Sequence, residues 1–204
     1  MVSPTARKHR TQAERSERTR ELLLDATIEC LVELGYARTT VQEICQRAGL
    51  SRGAQQHHFT TKAELMTSAL QHLFARLSDQ ILAATAELPP GQERVEAGID
   101  LLWQAYSGTL STAAVELWVA ARTDPELRRT LLPVDRALGH ATLEFYREIM
   151  GAELDDGRLK TLVLLTVNLV RGLALDAMIG GDEQRRATLL TEWKTLVAGQ
   201  FGKP

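Results

Sequence analysis

The sequence predicts an all-α protein: an N-terminal three-helix helix-turn-helix unit followed by a larger helical domain. Three observations predict it. Ala, Leu, Glu and Arg are abundant while aromatics make up only 5% of the 204 residues, a composition that favours helices over sheets. Apolar residues recur at helical spacing in one segment after another. These segments are punctuated by Gly and Pro breaks and by Ser, Thr or Asp at cap positions. With 44% hydrophobic residues the chain can bury a substantial core, which excludes disordered and collagen-like classes.

The first helical segment, "RTRELLLDATIECLVELG", places Leu24, Ile28, Leu31 and Leu34 on one face and stops at Gly35, suited to a left-handed cap. After "YARTT", with Thr39 or Thr40 as N-cap, comes a short helix, "VQEICQRA", whose inner face is Val41, Ile44, Cys45 and Ala48. "GLS" then forms a turn in which Gly49 can take positive φ, Leu50 plugs the angle between helices and Ser51 caps the third helix. That helix is "RGAQQHHF". It keeps only Ala54 and Phe59 as clear inward candidates, and Gly53 is expected to allow close approach to its partner helix.

A long helix begins after Thr60 or Thr61, with Leu65, Ala69, Leu73, Leu77 and Ile81 in phase and Glu64 near the capping-box position. "PPGQ" at 89–92 breaks the chain before "ERVEAGIDLLWQAYSG" and the compact apolar "TLSTAAVELWVAARTD". Pro125 suits a helix first turn after the cap Asp124, and Pro133 is expected to kink or split the helix that Pro125 starts. The segment "DDGRLKTLVLLTVNLVRGLALDAMIGG" is apolar around most of its circumference, so it should be buried on more than one side. The last helix, "DEQRRATLLTEWKTLVAGQF", carries Leu189, Trp193, Leu196 and Val197 on one face.

Charge is divided unevenly. Residues 1–62 hold 10 Lys+Arg against 7 Asp+Glu, and the remainder 14 against 19. Only the first part is therefore suited to a polyanion. The organisation expected is a basic flexible arm over 1–18, a helix-turn-helix domain over 19–62 and a second domain over 63–204. The basic N-terminus has no apolar segment behind it of the kind a signal peptide needs, and Asn168 and Arg171 interrupt the longest apolar helix. A soluble cytoplasmic protein with no membrane partner is expected. Cys30 and Cys45 lie in helical patterns without ligand spacing, which points to packing rather than a metal site.

The short polar helix carries the chemistry. A helix entering the major groove needs small or polar outward residues near its N-terminus, with donors for base edges and phosphates. Arg52 can bond guanine, Gln55 or Gln56 can pair with adenine, and His57 or His58 can donate to either kind of target. Ser51 and Thr40 can hold phosphates, Gly53 leaves room, and Lys62 adds its charge to the positive end of the long helix. Adjacent histidines diverge by about 100° around a helix, which argues against His57 and His58 as metal ligands. No metal site and no cofactor is expected. The basic residues Arg7, Lys8, Arg10, Arg15, Arg18 and Arg20 could reach a minor groove or remain solvated.

The stretch from "LLLDAT" through "ELGY", "TTV", "AGLSRGA" and "HHF" to "TKAEL" resembles the DNA-binding domain of tetracycline-repressor-type (TetR family) transcriptional regulators. The resemblance covers about a quarter of the chain. It implies an all-helical ligand-binding and dimerisation domain behind the head, a homodimer on double-stranded operator DNA, and release by a small-molecule effector. The family commonly has an aromatic where this chain has Gln56, so a hydrogen bond replaces stacking there. In the family the last two helices form a four-helix bundle across the dimer, which puts Leu189, Trp193, Leu196 and Val197 at or near that interface.

The family's ligand pocket falls among the middle helices. Polar and aromatic residues set in apolar segments there are its candidate lining: Trp103, Tyr106, Trp118, Arg122, His140, Asn168 and Arg171. Arg171 and Arg122 could instead pair with nearby acids such as Asp176 or Glu116. An enzyme is not expected, since nucleophile elbow, phosphate loop, HExxH and paired metal carboxylates are all missing from the sequence. The alternative is an all-helical small-molecule carrier or interaction module that does not bind DNA.

Overall fold

A computed structural model of the chain describes residues 11–85, 92–150 and 156–200. Among the described residues there are nine helices and no strand. They are α1 (Gln12–Arg38), α2 (Val41–Ala48), α3 (Arg52–His58), α4 (Lys62–Thr85), α5 (Gln92–Tyr106), α6 (Thr109–Ala121), α7 (Pro125–Met150), α8 (Asp156–Met178) and α9 (Glu183–Ala198).

Local chemistry sets most boundaries. Thr11 and Glu14 form a reciprocal capping box, so α1 begins at Gln12. Residues 12–18, expected as a flexible arm, are therefore helical and carry Arg15 and Arg18, with Arg20 further along the same helix. Arg7, Lys8 and Arg10 lie outside the described residues. Helix α1 breaks at Gly35, where φ is 74° and an added Cβ would meet Glu116 Oε2 at 2.8 Å. Thr40 and Ser51 cap α2 and α3, each accepting from the backbone N–H three residues on, and Gly49 between them is left-handed. Thr61 caps α4, accepting from Glu64 N, while the Glu64 carboxylate accepts from Thr60 N.

Of the kink or split expected at Pro133, the split does not form: helix α7 runs through it. Pro133 is exposed, as is Arg129 one turn back, so the carbonyl that loses its partner faces water, while Leu131, Val134 and Leu138 on the other face stay buried. There is also no apolar break at residue 62. The core built on Leu23, Leu24, Leu31, Ile44 and Phe59 continues through Leu65, Met66 and Leu70 of α4 into Leu110 and Leu117 of α6 and Leu127 and Leu131 of α7. A second core joins Val95, Ile99 and Leu102 of α5 to Tyr146, Val163, Val170, Leu190 and Val197. The fully buried Tyr146 donates its hydroxyl to Gly98 O at 2.9 Å.

Candidate nucleic-acid interface and effector domain

The outward face of the head is built on two capped helix starts. The Thr40 and Ser51 hydroxyls accept from Glu43 N and Ala54 N, both at 3.1 Å. Capping uses a lone pair, so each O–H remains free to donate to a phosphate. Both residues are exposed, as are Arg52, Gly53, Gln56 and His57, which together form the outer surface of α3. His58 is half-buried beside Phe59. Gly53 does not serve packing against α2: a Cβ there would touch only Ser51 Oγ, at 3.8 Å. A glycine in an exposed helix costs about 1 kcal/mol relative to Ala, and nothing inside the fold requires it. The room it leaves is on the outer side.

Gln55 departs from expectation. It is only 3% exposed, and its Nε2 donates to Phe59 O at 2.8 Å while Phe59 N donates back to Gln55 O. The pair closes the C-terminal end of α3, and Gln55 faces the core rather than a groove. Lys62 is also turned inward. Its ammonium donates to Tyr36 O at 3.1 Å and lies 4.1 Å from the Tyr36 ring centroid, and burial pulls its pKa down.

Tyr36 thus anchors a junction between head and second domain. Its N–H donates to Glu116 of α6 at 2.8 Å and its hydroxyl to Asp124 at 2.7 Å. Burial, reinforced by that bond, pushes the phenol well above its ordinary range. Asp124 is held below the usual carboxylate range, chiefly by the Leu127 N–H and then by Tyr36. Burial raises both thiols, Cys30 and Cys45, so they remain protonated packing groups. Among the described residues no three of His, Cys, Asp or Glu gather as a metal site.

The residues expected to share one ligand pocket are divided among separate hollows. Tyr106 lines an apolar cavity of about 250 Å³ between α4, α5 and α7, with Phe74, Ser78, Ile81, Leu102 and Phe145. His140, Asn168 and Arg171 line a groove of mixed charged and apolar side chains between α7 and α8, and Trp118 and Arg122 a shallow hollow between α6 and α7. Trp103 lines none of these and packs on the second core. Arg171 pairs with Asp135, at 3.8 Å, and lies over the Trp118 ring. The expected partners are occupied elsewhere: Asp176 pairs with Arg185 and Arg186, and Glu116 accepts from Tyr36. The α4 residues of the cavity went unnoticed in the sequence. Their signal was there, since Phe74 and Leu82 widen α4's apolar stripe beyond the face of Leu73, Leu77 and Ile81.

The expected dimer face divides similarly. Leu189 and Leu196 are 44% and 61% exposed, whereas Val197 is buried in the chain's own core, and Trp193 is half-buried with its indole N–H donating to Thr166. Leu164, Leu165 and Leu175 of α8 and Ile179 just beyond it, not singled out from sequence, extend the exposed apolar face. Helix α8 is long and apolar enough to cross a membrane. One of its faces lies in the second core and the other on this exposed patch.

A capped helix-turn-helix with a polar, exposed second helix, rooted in an all-helical domain with an apolar cavity, defines a DNA-binding transcriptional regulator. A family profile described as "Bacterial regulatory proteins, tetR family" matches residues 23–69. The helix-turn-helix-type transcriptional regulator Rv2912c of Mycobacterium tuberculosis is 33% identical over 170 residues, 81% of this chain and 86% of that protein. CymR of Pseudomonas putida, of the same type, is 30% identical over 181 residues, 87% and 88% of the two chains. A solved transcriptional regulator from Rhodococcus superposes with a TM-score of 0.64 at 27% identity, covering 88% of this chain and 94% of its own. The chain belongs to the TetR family of transcriptional regulators.

Proposed function

We propose that the protein acts as a homodimeric, cytoplasmic repressor that reads a palindromic operator and leaves it when a small molecule occupies the α4–α5–α7 cavity. The observation that carries the DNA half is the outer surface of α3, where Arg52, Gly53, Gln56 and His57 stand exposed while Gln55 and Phe59 lock the helix from behind. In this reading Arg52 and Gln56 meet base edges, His57 and His58 flank them, and the Thr40 and Ser51 hydroxyls hold phosphates. The head comprises α1–α3, and α4 links it to the effector and dimerisation domain. The protein carries no cofactor and catalyses no reaction in this role.

Dimerisation is supported by the exposed leucines of α8 and α9, whose burial against a second copy follows from ordinary hydrophobic driving force. Release follows by linkage: a ligand that binds better to the form with mis-spaced heads lowers operator affinity by that preference. Selection from a random duplex pool at about 150 mM salt, a concentration at which non-specific phosphate binding is weak, tests the reading. A two-fold palindrome supports it. A folded dimer that enriches nothing sinks it in favour of a ligand carrier.

A further inference from the structure

We propose that the effector is a small, uncharged, largely apolar molecule of about ten non-hydrogen atoms, such as a single substituted ring, bearing one or two hydrogen-bonding groups. The inference rests on the effector role proposed for the cavity and gives the ligand its chemical class.

Size comes first. The cavity holds about 250 Å³. An apolar cavity of about 150 Å³ accommodates benzene, so the same room per carbon allows about ten heavy atoms here. That admits one ring with a short substituent, whereas a long acyl chain or a nucleotide would not fit inside and would have to project through the mouth.

Wall chemistry fixes the charge. Phe74, Ile81, Leu102, Ala105 and Phe145 supply an apolar lining from three helices. Ser78 and Tyr106 are also among the lining residues, and neither hydroxyl makes a hydrogen bond within the described protein. The Thr142 hydroxyl is already committed to Leu138 O. Among the described residues no Lys or Arg lines the cavity, so an anion would give up its hydration for two hydroxyls at most and no countercharge. The one charged lining group, Glu144, is half-exposed and already pairs with Arg147 and faces His140. A cation is disfavoured for a second reason: the Arg171 guanidinium lies 5.6 Å from the Tyr106 ring centroid and already occupies that ring's attraction for positive charge. Two free hydroxyls in an apolar shell suit a neutral ligand with a hydroxyl or carbonyl group.

The test is calorimetric titration of the full chain with three single-ring probes matched in size at about ten non-hydrogen atoms each: 4-propylphenol, 4-methylbenzoate and N,N,N-trimethylanilinium. We expect 4-propylphenol to bind at one per chain and the two ions at least tenfold more weakly. Ala105→Phe, which fills the wall, and Ala141→Trp, at the exposed mouth and so harmless to folding, should each abolish binding with helicity unchanged. Tyr106→Phe should weaken it about threefold to tenfold, the loss of one hydrogen bond. Equal or tighter binding of either ion, failure of all three probes, or binding that survives both filling variants overturns the proposal. Operator affinity is measured separately with the same probe. Binding that leaves it unchanged removes the switch and keeps the ligand class, whereas release by charged or long-chain compounds alone keeps the switch and removes the class.

Discussion

Replacing Gln55 separates scaffold from base reader on the recognition helix. In Gln55→Ala the Phe59 carbonyl loses its buried donor, at about 1–3 kcal/mol, and about two methylenes of packing go with it, at about 0.8 kcal/mol each. The geometry behind this is a 2.8 Å bond from a side chain 3% exposed. A central expectation of about 3 kcal/mol corresponds to a fall in melting temperature of roughly 6–12 °C for a chain of this size. Gln55→Leu, which keeps the volume, should recover the packing but not the bond. Arg52→Ala is the control: its side chain is exposed, so melting should barely move while cognate affinity falls by about 1–3 kcal/mol and random-DNA affinity hardly changes. Thermal melts paired with binding to single-base operator variants distinguish the two roles. If Gln55→Ala melted like the parent and relaxed preference at one base pair, Gln55 would be a reader and the buried assignment wrong.

Other predictions come from the junction and the exposed face. Gly35→Ala should cost about 1–3 kcal/mol in denaturant melts, since it combines a φ of 74° with a clash against Glu116, whereas Gly180→Ala, at a similar φ in open space, should cost less. Because Asp124's folded pKa is depressed, its contribution is complete above the ordinary carboxylate value of about 3.9 and is lost as pH falls through the lower folded value. Asp124→Asn, which keeps the cap, should therefore flatten the acid limb of a stability–pH curve, and an unchanged limb would remove Asp124 from it. Leu196→Glu combined with Leu165→Glu should yield a folded monomer by light scattering with weakened operator binding, because both positions are exposed in the single chain. A persistent dimer would move the interface elsewhere.

The head was legible from sequence because its determinants are local. Caps at Thr40, Ser51 and Thr61 and the left-handed Gly49 depend on neighbours three or four residues away, and all formed as composition and spacing suggested. What escaped depends on distant partners. Gln55 reads as a polar outward residue until Phe59 is known to close on it, and Lys62 reads as a phosphate ligand until Tyr36 arrives from 26 residues away. On α9, Leu196 and Val197 are equally apolar neighbours, and periodicity alone does not tell which faces the chain's own core and which faces outward. The cavity is harder still, since it is a place where three apolar helices fail to fill space, and no residue type marks a void. Conspicuous aromatics and cations are no guide to it: Trp103 and Arg122 lie away from the cavity.

Helix α4 gives the proposed switch a physical route. Its first residue, Lys62, holds the Tyr36 carbonyl at the end of α1, and from Phe74 onward its side chains wall the cavity. Twelve residues of continuous helix separate them, about 18 Å along a rod that does not bend easily. Tyr36 is tied at the same time to Glu116 and Asp124 on the effector side, so a movement of α4 cannot pass Tyr36 without straining bonds to α6 and the start of α7. An effector that packs against Ile81 and Phe74 therefore acts on the same element that positions the reading head. Cutting the link at Tyr36→Phe, which loses only the Asp124 bond, should leave both ligand and operator binding in place while reducing the coupling between them. Undiminished coupling would mean that the signal bypasses this junction.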